Sequence, residues 1–424
     1  MICLFPNCAY ISDTSRMIEI YRAVRKRGID PIVATHGGQY EFLLQQEHVP
    51  YFRMEPYFSN ERAEKFISIN RMEDLFGEFY EAPELRDHVG YEIEFFKSRN
   101  IRFVHGGFTL SNSISARAVG ARYSVAHSMV PPIFERKMQP WPDELDWWIT
   151  RLIPEPIKRN FINRAMLHSK RFASPFNRVS KDYGIVPFRS FLEVMLGDLT
   201  YVSDMPEILG IGQEEFASWK PTPSLYSRPL AFKIVGPIFA HFTDDIPDSI
   251  KEFVETKGKK IYVALTSTKR EYVDAVYQDL RKRSERVIFA TNIHADVVKN
   301  SENIRVFDYL PSHKVMPLVD LAIIHGGQGA VQTAIASGIP VVGFPLQPEQ
   351  KFNLKALEAR GAGICMPLSE LLKGSLPEAV DQILGNPAFR ESAKWLKAAQ
   401  EQYDGAEAIA DDLFHASTGY EEAN

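Results

Sequence analysis

The chain has 424 residues, longer than a single growing core accommodates, so two domains are expected, and its hydrophobic content of 45% is that of an ordinary globular protein. Its net charge is −5, with Lys and Arg scattered along the chain, which excludes nucleic-acid binding as its main role because no basic stripe offsets phosphate repulsion. No apolar run reaches the roughly 20 residues of a spanning helix, the chain opens directly on an apolar strand, and its cysteines, Cys3, Cys8 and Cys365, lie in or near apolar strands without metal-ligand spacing, so a cytoplasmic protein with reduced thiols and no metal is expected.

Strand-like and helix-like segments alternate throughout, the pattern of a parallel α/β sheet. Ile2–Phe5 reads as a strand. An amphipathic helix from about Ser15 to Arg27 follows, with Met17, Ile18, Tyr21 and Val24 on one face and Gly28 as its stop. Pro31–Thr35 is a second strand. Ile101–Val104 and Tyr123–Ala126 are later ones, separated by a Ser- and Ala-rich helix from about Asn112 to Val119. After the Gly236-Pro237 break, which marks the domain boundary, a second series runs through Lys260–Leu265, Val287–Ala290, Ile304–Phe307, Leu321–Ile324 and Ile339–Phe344, and a last helical segment spans about Glu391 to Ala416. Three places read His-Gly-Gly at or just after a strand. At His36 and His105 the plain reading is a tight turn.

The third, at Leu321–Gln350, carries more. The apolar strand ends at His325-Gly326-Gly327, and the helix that follows (Ala330–Ala336) points its unpaired N–H groups and dipole at the turn, an arrangement that favours an anion such as phosphate. Ser337-Gly338 closes the helix. Beyond the next strand, Glu349-Gln350 in a proline-punctuated loop set a carboxylate beside an amide, a pair suited to neighbouring sugar hydroxyls.

His325, Gly327, Gly329, Gly338-Ile339-Pro340, Glu349-Gln350 and Asn353 together resemble the donor-binding signature of family 1, UDP-glycosyltransferase-like enzymes, and within them the bacterial natural-product members. The resemblance implies the α/β GT-B architecture, two Rossmann-like domains with parallel sheets facing across a cleft. Here these are an acceptor domain (residues 1–236), a donor domain (237–400) and a C-terminal helix (401–424) crossing back to the first. It also implies an inverting, metal-independent transfer, without a bound cofactor, from a UDP- or dTDP-sugar to an apolar small-molecule acceptor. On the donor side it assigns the diphosphate to Ser267, Thr268, His325, Gly327, Gln328 and Gly329, the base to Tyr309 and Leu310, and the sugar hydroxyls to Glu349 and Gln350. Ala330 and Thr333 depart from the family's pattern, so backbone N–H groups carry more of the phosphate binding and the ribose ligand is unassigned.

The general base of such a transfer belongs to the first domain, and Asp13, within Cys8–Thr14, stands in register with the Asp of antibiotic-modifying members. The competing reading of Asp13 is a helix N-cap. On the acceptor side the candidates are His105, His127, Trp141 and Phe58, among aromatics that suit either an apolar pocket or ordinary packing. Trp147-Trp148-Ile149 beside Arg151, Lys158 and Arg159 also reads as a membrane-facing patch, and a homodimer is left open. Alternative functions are a MurG-like transfer to a lipid-linked acceptor, a sugar-nucleotide epimerase of similar architecture, and a catalytically silent nucleotide-sugar-binding partner.

Overall fold

The computed structural model describes residues 1–70, 74, 77–265, 268–291 and 294–418. The chain divides into two compact units: 1–139 with 154–240 and 403–424, and 140–153 with 241–402. The segment 140–153, placed by sequence in the first domain, groups with the second unit, where Lys351 forms an ion pair with Asp143.

The first unit carries a seven-stranded parallel sheet built from β1 (Ile2–Phe5), β2 (Ile32–Thr35), β3 (Phe52–Arg53), β4 (Phe103–Gly106), β5 (Arg122–Ala126), β6 (Leu199–Val202) and β7 (Ala231–Ile234). Its spatial order is β3-β2-β1-β4-β5-β6-β7. The second unit carries β8 (Lys260–Ala264), β9 (Arg286–Ala290), β10 (Ile304–Phe307), β11 (Leu321–Ile324), β12 (Val341–Gly343) and β13 (Gly363–Cys365), in the order β10-β9-β8-β11-β12-β13 and again parallel. Helices cover both faces, which is why central strands read as unbroken apolar runs: all four residues of β11 are buried. In each sheet the strand order reverses between two central neighbours, β1 and β4 in the first, β8 and β11 in the second. A crevice opens at such a switch point, beyond the carboxyl ends of the strands, and ligands of doubly wound sheets bind there.

Several elements differ from their sequence reading for identifiable reasons. The first helix starts earlier, at Ile11, and runs to Lys26. Glu349-Gln350 are not in a loop but in the first turn of the helix Pro348–Ala359. The final helical segment is two helices, Pro387–Gln400 and Gly405–Thr418. Asp404 stops the continuity, since its carboxylate accepts the N–H of Glu407 and caps the second helix. That second helix packs on Ile11–Lys26, with Glu407 paired to Lys26 and Arg27, and Asp412 to Lys233.

The His-Gly-Gly at His36 is structural. Gly38 has φ +132°, and a Cβ there would lie 2.4 Å from the Cys8 backbone, so the turn is pressed against the loop after β1. His36 faces the Pro56 carbonyl through Nδ1 (3.1 Å) and Glu92 through Nε2 (2.9 Å). His36, His88 and Glu92 bring metal-ligand atoms within 4.8 Å of one another. Glu92 already accepts from Ser111 and Ser115 and meets His36, so its oxygens are satisfied within the protein.

Candidate active site

At the switch point of the first sheet, the loops after β1 and β4 meet on one carboxylate. Asp13 is 6% exposed, and its Oδ2 accepts the backbone N–H of Asn7 (2.7 Å) and of Phe108 (3.0 Å). Asn7 ties the same two loops through its side chain, donating Nδ2–H to Phe108 O (2.9 Å) and accepting from Ala9 N–H (3.0 Å). The N-cap reading of Asp13 is therefore corrected. Tyr10 occupies the N-cap, and Asp13 sits in the first helical turn with its carboxylate turned away to the two loops.

Gly107 shows how closely this seat is built. A Cβ on residue 107 would stand 1.9 Å from Asp13 Oδ2, so the second glycine of His105-Gly106-Gly107 is required by the carboxylate and not by a turn alone. Burial raises the Asp13 carboxyl above the usual carboxylate range, while Arg16 and the two N–H donors pull it back. Arg16 lies one turn along the helix and is anchored by Nη1 to Ala126 O at 2.7 Å. Neither it nor Asn7 stood out in the sequence; the Asp-x-x-Arg helical spacing was the available signal.

Of the acceptor candidates, His127 follows β5, half-buried, and its Nε2 faces Met195 O at 3.2 Å, so the proton sits on Nε2 and the lone pair on a buried Nδ1, to which no described residue donates. Burial lowers its pKa to about 4, which keeps the ring a neutral acceptor. His105 does not lie on a strand end facing a ligand. It is buried inside the sheet at 1% exposure and hydrogen-bonded through Nδ1 to Ser124 (3.0 Å), with burial holding its pKa near about 3. Phe58 is a core residue, its ring packed edge-on against Phe66 at 5.5 Å. Trp141 is buried in the second unit.

At the switch point of the second sheet, β11 leads into His325, which is buried and stands edge-on to Phe344. The helix Gln328–Ser337 then begins, with Gly327 as its N-cap and no side-chain cap. Its first N–H groups have no helical partner and open on the turn. The two glycines differ in kind. Gly326 has φ +90°, and a Cβ would strike Leu354 at 2.5 Å, so the fold needs it. Gly327 has an ordinary φ of −58°, and a Cβ there would meet nothing within 4 Å. No described residue requires glycine at 327, and the space beside it is open.

Asn353, 1% exposed, donates Nδ2–H to Gly326 O (3.0 Å) and pins the turn to the helix Pro348–Ala359. That contact places Glu349 and Gln350 beside the cradle. Gln350 is buried, and its Oε1 accepts Leu346 N–H (2.7 Å), so the amide NH₂ is the part it can offer a hydroxyl. Glu349 is half-buried. Thr333 donates its hydroxyl to Gly329 O (2.7 Å), inside its own helix.

From the neighbouring strand end, Thr268 contributes a buried hydroxyl with no hydrogen-bond partner among the described residues. Ser267, its companion in the sequence reading, and Thr266 lie outside those residues. His294, unnoticed in the sequence, faces Thr268 O through Nε2 (3.1 Å). Arg270 is paired with Asp296 at the surface. Beyond β10, the half-buried ring of Tyr309 packs on Phe242 (6.1 Å), while Leu310 is core.

Residues 277–413 match the model of the C-terminal domain of erythromycin biosynthesis protein CIII-like proteins. A PGL/p-HBAD biosynthesis glycosyltransferase of Mycobacterium tuberculosis is 27% identical over 330 residues, covering 76% of this chain and 72% of the relative. A PGL/p-HBAD biosynthesis rhamnosyltransferase of Mycobacterium bovis is 26% identical over 332 residues, covering 76% and 69%. The chain is a glycosyltransferase of the GT-B fold. Among solved structures similar to this glycosyltransferase, a spinosyn rhamnosyltransferase complexed with thymidine diphosphate has a TM-score of 0.67 at 14% identity, covering 97% of this chain and all of the other (100%). The glycosyltransferase thus carries its buried carboxylate and its glycine cradle at the switch points of the two sheets.

Proposed function

We propose that this glycosyltransferase moves a sugar from a UDP- or dTDP-sugar to a hydroxyl of an apolar small-molecule acceptor with inversion, and that Asp13 is the general base. The seating of Asp13 carries this reading. A carboxylate held by two N–H groups on one oxygen, buried and with a raised pKa, keeps an oxygen oriented to take a proton, and a general base contributes about 10² to 10⁴ in rate. The acceptor oxygen bonds to the anomeric carbon as its proton passes to Asp13, and the bond from that carbon to the diphosphate breaks with its electron pair leaving on phosphate.

The departing diphosphate is received by the N–H groups opening the helix Gln328–Ser337, by His325 and by the Thr268 hydroxyl, preorganised donors of the kind that supply the largest catalytic terms. No metal ion is needed in this scheme. Tyr309 stacks on the base, and Glu349 and the Gln350 amide hold sugar hydroxyls. The spinosyn rhamnosyltransferase structure holding thymidine diphosphate supports trying dTDP first. A silent binding partner is disfavoured by the Asp13 seat, which nucleotide-sugar binding alone does not call for.

Two variants separate the donor subsites. Glu349→Ala should weaken a sugar nucleotide by about tenfold or more, the worth of a hydrogen bond to a charged group, and leave the free nucleotide diphosphate nearly unchanged. Equal weakening of both in calorimetry removes Glu349 from the sugar subsite. Gly327→Ala should leave thermal stability within about 1 kcal/mol, since its Cβ meets no described residue, while weakening nucleotide binding. Unimpaired binding places the phosphates elsewhere.

A further inference from the structure

Seven of the sixteen large apolar side chains exposed among the described residues fall between Trp147 and Phe161, including Trp148 (74%), Leu152 (78%) and Phe161 (62%). The same part of the chain inverts the protein's charge. From Trp147 to Arg171 there are six Lys and Arg against a single acid, Glu155, in a chain of net −5. Trp147–Ile153 is an irregular stretch of the second unit, and the helix Glu155–His168 follows in the first. That helix buries Ile162, Asn163 and Leu167 and turns Ile157, Phe161, Arg164 and His168, spaced along one face, to solvent. Arg159, Arg164 and Lys170 form no ion pair with any described residue.

Adjacent tryptophans and an outward face that mixes Ile and Phe with cations have the chemistry of the lipid–water interface, where indole rings sit at headgroup level and basic amphipathic helices lie in the plane. We propose that the segment Trp147–Arg171 docks on the surface of an anionic phospholipid bilayer. A second copy of the chain is the poorer occupant, because self-pairing sets Arg159, Arg164 and Lys170 of one protomer against the same cations of another. The segment adds an interaction to the catalytic reading without depending on it.

Co-sedimentation of the full chain with vesicles tests this. The protein should pellet with phosphatidylcholine vesicles containing phosphatidylglycerol, and release from them at high salt. Arg159→Gln with Arg164→Gln should weaken binding by roughly fivefold for each charge removed, and Trp147→Ser with Trp148→Ser should abolish it. Unchanged thermal unfolding of both variants is expected for exposed side chains and shows that lost binding is not lost folding. Absence of vesicle binding overturns the proposal, as does binding that neither variant alters. A dimeric mass that the tryptophan variant converts to monomer also overturns it and assigns the face to a second copy.

Discussion

Asp13→Asn should lower the turnover number by about 10² to 10⁴ while leaving nucleotide affinity and the fold intact. The amide oxygen of Asn still accepts the N–H groups of Asn7 and Phe108, so the two loops remain tied, and only the basic oxygen is lost. The stability of the variant carries its own sign. Because burial raises the folded pKa of Asp13, the folded protein retains a proton that the unfolded chain releases as pH rises above the ordinary carboxylate range. Native stability therefore falls as pH climbs through the window between the two values, and the ionised carboxylate is a net cost above it. Asn at this position has no such cost. The variant should melt at or above the native temperature near neutrality, with the difference closing in acid below the ordinary carboxylate pKa. The same raised pKa places the acid limb of the native rate profile above the usual carboxylate value of 3.8. A variant that melts well below the native protein near neutrality would show that the carboxylate is structural.

Gly107→Ala should be the second severe change, and for a different reason. Its Cβ would lie 1.9 Å from Asp13 Oδ2, so either the β4 loop or the carboxylate must move. Overpacking of this kind costs about 1 to 3 kcal/mol, and turnover should fall nearly as far as in Asp13→Asn because the base is displaced. Combining Gly107→Ala with Asp13→Ala removes the atoms that collide. The double variant should regain thermal stability relative to Gly107→Ala alone without regaining activity, a coupling that a double-mutant cycle measures directly. Additive destabilisation would mean that the two residues do not share the seat.

Much of the framework was readable because a parallel sheet buried on both faces writes itself as short apolar runs, and β1, β8, β10 and β11 lie where those runs do. Gly338, in the left-handed region at φ +64°, ends its helix as the Ser-Gly pair indicates. The Asp13 seat was not readable in the same way. Its donors come from residues 7 and 108, about a hundred positions apart, and only the pairing of β1 with β4 brings them together. His105-Gly106-Gly107 looked like the turn at His36, and what distinguishes them is a tertiary neighbour, Asp13 in one case and the Cys8 backbone in the other. Phe58, Phe79 and Tyr80 offered equal support to a pocket and to a core, and burial decided for the core. By contrast, Asp404-Gly405-Ala406-Glu407 carried a capping signal that marks the break before the last helix.

The central claim is that the glycine turn after β11 binds a nucleoside diphosphate without help from a metal ion. Thermal unfolding of the full chain with UDP, dTDP or GDP, each with and without EDTA, tests it most directly. Stabilisation by UDP or dTDP that persists in EDTA, and that is absent with GDP, is the expected result. No stabilisation by either pyrimidine nucleotide, or stabilisation that EDTA abolishes, would contradict it.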